Sequence, residues 1–80
     1  MDSAIEKYRN KYWFGVLTGM SEYRWHCRDA WMQKLSPTKE RQEEETILKI
    51  NAYIQALRDA KNITESEKSE LREYFLHRRN

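Results

Sequence analysis

SAIEKYRNKYWFGVLTGMSEYRWHCRDAWMQKL, residues 3–35, is the stretch whose reading decides the fold. Its apolar residues Ile5, Tyr8, Tyr12, Val16, Met20, Tyr23, Cys27, Trp31 and Leu35 recur every three or four positions. That spacing lines up one face of an α-helix. Ser3-Ala4-Ile5-Glu6 reads as a capping box, in which the serine hydroxyl and the glutamate carboxylate satisfy backbone amides of the first turn. Two continuations fit. One helix runs from Ala4 to Leu35, which the unbroken register favours, or the helix breaks near Thr18-Gly19 and restarts with Ser21 as cap. Glycine inside a helix costs about 1 kcal/mol relative to alanine. Gly15 and Gly19 therefore mark a weak point or a close contact, and Gly15-Val16-Leu17-Thr18-Gly19 has the small-xxx-small form of closely approaching helices.

Working outward, Ser36-Pro37 closes this segment, because a residue before proline is pushed off helical angles and proline suits a first helical position. A second helix is expected from Pro37 to Lys61, with Ile47, Ile50, Ile54 and Leu57 on its apolar face. Glu40, Glu43, Glu44 and Glu45 near its start and Arg58 and Lys61 near its end suit the helix dipole. Its first two turns carry almost nothing apolar and are expected to project into solvent. A break at Asn62-Ile63 leads to a last helix opened by the capping box Thr64-Glu65-Ser66-Glu67 and packed through Leu71, Tyr74, Phe75 and Leu76.

The expected fold is all-α: a long antiparallel helical hairpin plus a short C-terminal helix, three helices in all, or four if the first breaks near Gly19. The expected core is Ile5, Tyr8, Tyr12, Val16, Tyr23, Trp31, Ile47, Ile50, Ile54, Leu57, Leu71 and Phe75. Residues 1–80 read as one small domain, with three Trp, five Tyr and two Phe supplying apolar area that aliphatic residues do not. Two glycines and one proline leave little punctuation for strands.

Fifteen basic residues against thirteen acidic give a net charge of +2, which favours solubility without the strong basic footprint of a dedicated nucleic-acid binder. One cysteine forms no internal disulfide, and no signal peptide or membrane-length apolar run is visible, so a cytoplasmic protein with no membrane contact is expected.

Catalytic and metal chemistry lack their parts. Cys27 and His26 are sequence neighbours, which on a helix point about 100° apart and do not form a nucleophile–base pair. Glu22–His26 and Glu73–His77 are i,i+4 pairs that suit surface ion pairing better than a metal site. No phosphate-binding glycine loop is present. The expectation is a non-enzymatic chain without cofactor or metal.

A second apolar set lies opposite the main stripe: Phe14, Trp25 and Met32, with Arg24 and Arg28 beside them. Either the last helix packs over them or they are exposed together. Exposed, they form an aromatic and methionine patch rimmed by arginine, the composition of protein-binding hot spots. Phe14, Arg24, Trp25, Arg28 and Met32 are thus the candidate partner-binding residues. The leading reading is a small module that regulates or inhibits a larger protein by direct contact. The alternatives are a nucleic-acid-binding regulator using the same Trp/Arg/Lys face, and a structural homodimer that buries it.

Overall fold

The computed structural model describes residues 3–79. It is all-helical among them: α1 (Ser3–Tyr8), α2 (Tyr12–Met32), α3 (Lys39–Asp59) and α4 (Glu65–Arg72), the last continued by a π-helical turn, Glu73–His77. α2 and α3 form the antiparallel hairpin, α1 packs on α4, and the π turn lies against both long helices. The serine side chain of the expected first capping box lies outside the described residues.

The first segment does break, but at Arg9–Lys11 and not at Gly19, which sits inside α2. Lys11 is extended (φ −76°, ψ 143°), and its amide donates to the Tyr8 carbonyl at 2.9 Å. The break lets α1 turn onto α4. Ala4, Ile5 and Tyr8 become buried, and the Tyr8 hydroxyl donates to Glu67 Oε1 at 2.7 Å. It also rotates the register, so the stripe read across residues 5–35 is not one buried face. Ile5 and Tyr8 point inward, whereas Tyr12 is 88% exposed and Tyr23 44%. Val16 and Trp31 are half-buried.

α2 buries a different face: Phe14, Leu17, Ser21 and Arg24, with Cys27 also buried. This set also keeps helical spacing, but half of it is polar. The polar members have partners from distant parts of the chain. Ser21 Oγ donates to the Phe75 carbonyl at 3.0 Å, and Arg24 Nη1 to the Leu76 carbonyl at 2.6 Å. Those carbonyls belong to the C-terminal end of the last helix, where acceptors lack intrahelical partners and the dipole favours a cation. Arg24 Nε also donates to Glu43 Oε2 at 2.8 Å. The start of α3 therefore does not simply project into solvent, since Glu43 and Thr46 are buried against α2.

The rest of α3 and α4 follows the sequence pattern. Ile50, Ile54 and Leu57 are buried, Ile47 packs partly, and Ile63, Leu71, Phe75 and Leu76 complete the core. Thr64 and Glu67 form the expected capping box, with reciprocal bonds of 3.1 and 2.9 Å. α2 and α3 both end in Schellman motifs whose left-handed residue is a lysine: Lys34 (φ 58°) and Lys61 (φ 62°). The closing bonds run from the Leu35 amide to the Ala30 carbonyl and from the Asn62 amide to the Leu57 carbonyl, each 2.9 Å.

Candidate functional site

The five candidate residues do not share one surface. Phe14 is buried under the C-terminal elements, its ring centroid 5.0 Å from Phe75 and 6.0 Å from Tyr74. Arg24, only 8% exposed, is the hub that ties α2 to α3 and to the π turn. Trp25 is half-buried, with the guanidinium carbons of Arg24, Arg79 and Arg28 at 4.0, 5.3 and 5.7 Å from its ring centroid. Its indole N–H is buried without a hydrogen-bond partner among the described residues. Arg79 is fixed in turn by a two-pronged pair with Asp29, whose hydrogen bond holds that carboxyl below its ordinary pKa. Only Arg28 and Met32 reach the surface appreciably, Met32 with 55% exposure.

Met32 belongs to a patch that the sequence divided differently. The hairpin turn brings Trp31, Met32, Lys34, Pro37 and Glu40 around one surface depression, next to Leu35, which is 74% exposed. Leu35 has no periodic helix position to hold it inward, because α2 ends at Met32 and the left-handed Lys34 swings the chain away. Trp31 is rigid: its indole N–H donates to Glu43 Oε1 at 2.7 Å. Glu43 thus receives Arg24 and Trp31 together, with Arg28 Nη1 at 3.7 Å. Burial pushes the Glu43 carboxyl up, but hydrogen bonds from Trp31 and Arg24 and the charges of Arg24 and Arg28 outweigh it, leaving the pKa below the ordinary value. A charged Glu43 therefore anchors both the packing of the hairpin and the orientation of the tip tryptophan.

Trp31 and Leu35 went unnoticed as surface residues because they continued the apolar stripe. A usable signal was Leu17, which belongs to neither the stripe nor the opposite set, yet is fully buried. It lies with Phe14 and Arg24 at helical spacing, marking the true inner face.

Cys27 is fully buried while His26 is exposed, so they form no thiolate–imidazole pair. Among the described residues, no group of three or more His, Cys, Asp or Glu is placed to hold a metal ion, and no helix is long and apolar enough to cross a membrane. Compared with protein-family models, with curated proteins and with solved structures, the chain finds no match.

Proposed function

We propose that this chain is a non-enzymatic protein-binding module that regulates a larger protein by direct contact, and that the contact is the hairpin tip. The observation that carries this reading is the exposure of Met32 and Leu35 beside the fixed Trp31. Exposed apolar side chains gathered around a depression favour burial against a partner, and a preordered tryptophan loses little entropy on binding. Lys34 and Glu40 line the same depression, so the partner surface is apolar at its centre and carries charges of both signs at its edge.

A protein suits this tip better than a nucleic acid. Arg24, Arg28, Arg58 and Arg79 face carboxylates of their own chain, and Arg72 Nε donates to Asn51 Oδ1 at 3.0 Å. Guanidiniums held this way contribute little to a phosphate-binding track, which draws its affinity from cations free to displace counterions.

The test is affinity capture from source-cell lysate with the tagged chain, with and without nuclease, comparing wild type with Met32→Asp/Leu35→Asp. The reading expects one protein recovered near stoichiometry, indifferent to nuclease and lost with the double substitution, while far-UV circular dichroism stays unchanged. Recovery that nuclease abolishes, or that survives the double substitution, contradicts it.

A further inference from the structure

We propose that α2 also pairs antiparallel with α2 of a second copy of this chain, about a two-fold axis passing between Gly15 and Gly19. The surface is the face of α2 opposite Phe14, Leu17, Ser21 and Arg24, where Tyr12, Gly15, Gly19, Glu22 and Tyr23 are exposed and Val16 is half-buried. Neither glycine is required by its own chain. A Cβ added at Gly15 or Gly19 meets nothing within 4 Å, and neither residue has a positive φ. Both carry the helix-propensity cost of glycine without compensation inside the monomer.

The charges choose the occupant and its direction. Lys11 and Glu22 lie on one flank of the face and Tyr12 and Tyr23 on the other, at about 100° per residue. A shallow depression joins Lys11, Tyr12, Gly15, Val16, Gly19 and Glu22. Neither Lys11 nor Glu22 forms an ion pair among the described residues. A two-fold axis perpendicular to a pair of helices reverses their direction and keeps each flank on its own side. Lys11 then meets Glu22 of the second copy, Tyr12 meets Tyr23, and Gly15 meets Gly19, each contact occurring twice as an isologous interface demands. A parallel pair, whose two-fold axis runs along the helices and exchanges the flanks, sets Lys11 beside Tyr12 and Glu22 beside Tyr23 and pairs no opposite charges. The match is of this face to itself, which a foreign partner has no reason to reproduce. The inference does not rest on the hairpin tip, which lies at the other end of α2 and stays free in such a dimer.

Sedimentation equilibrium of the full chain over a dilution series tests it. The expected result is reversible passage from monomer to dimer. Lys11→Glu and Glu22→Lys each set like charges opposite one another and weaken association by on the order of tenfold. The Lys11→Glu/Glu22→Lys double variant, and an equimolar mixture of the two single variants, restore the pairs and recover the dimer. Gly19→Gln keeps the helical signal, since its side chain meets open space in the monomer, and abolishes the dimer. A wild-type chain that stays monomeric throughout overturns the proposal. So does a dimer insensitive to Gly19→Gln, or a double variant that associates no better than the single ones.

Discussion

At the scale of single residues, the pair Arg24–Glu43 decides how the molecule is assembled. Their side chains are 9% and 6% exposed, so removing either partner leaves a charge without its counterpart away from water. Arg24→Ala should therefore cost on the order of 3–5 kcal/mol. Urea denaturation of the variant checks this, and in so small a chain the loss can unfold it at room temperature. The companion double variant Arg24→Met/Glu43→Leu removes both charges and should recover much of the loss, because buried ion pairs are often replaceable by apolar residues of similar volume. A small effect of Arg24→Ala would mean that the pair is solvated and that α2 is not turned as described.

At the scale of elements, the two lysine C-caps are weak points of α2 and α3. A left-handed conformation crowds the Cβ of an L-residue by roughly 1–2 kcal/mol, and glycine escapes this at some entropic cost. Lys34→Gly and Lys61→Gly should each raise stability by up to about 1 kcal/mol, read as a higher urea midpoint with an unchanged slope. The elements also show what the chain reveals on inspection. α3 and α4 were legible because Ile50, Ile54, Leu57 and Leu71 carry their own periodicity and Thr64–Glu67 is a local motif. The all-α hairpin with its C-terminal helix followed from the same patterns. The orientation of α2 was not legible. Ser21 and Arg24 face inward only because Glu43 and the carbonyls of Phe75 and Leu76 arrive from at least nineteen residues away in the chain. Hydrophobic patterning places an arginine outside unless its partner is known. The break at Arg9–Lys11 hid for a similar reason, since what rewards it is the long-range contact of Tyr8 with Glu67. Of the candidate residues, whose exposure the sequence left open, Arg28 and Met32 reach the surface, Trp25 is half-buried, and Phe14 and Arg24 lie in the interior.

At the scale of the whole molecule, acid stability follows from the depressed carboxylates. Burial pushes the Glu67 carboxyl up, but hydrogen bonds from the Tyr8 hydroxyl, the Thr64 amide and Lys7 bring it down to about 2. Glu43, Glu65 and Asp29 are shifted in the same direction. The unfolded chain, with ordinary carboxylates, binds more protons than the folded one in this range, so stability rises with pH there. The stabilisation is present in full above the unfolded value of about 4.3 and is lost as pH falls toward 2. Thermal melts should show a steady fall in midpoint over that window. Glu67→Gln should make the fall shallower.

Both proposed surfaces depend on which side of α2 faces inward, and hydroxyl-radical footprinting of the dilute chain reads that side directly. The account predicts rapid modification of Tyr12, Met32 and Leu35, with Phe14, Leu17 and Phe75 protected. Protection of Tyr12 and Tyr23 with modification of Phe14, at dilutions where the chain is monomeric, would contradict it and restore the apolar stripe as the buried face.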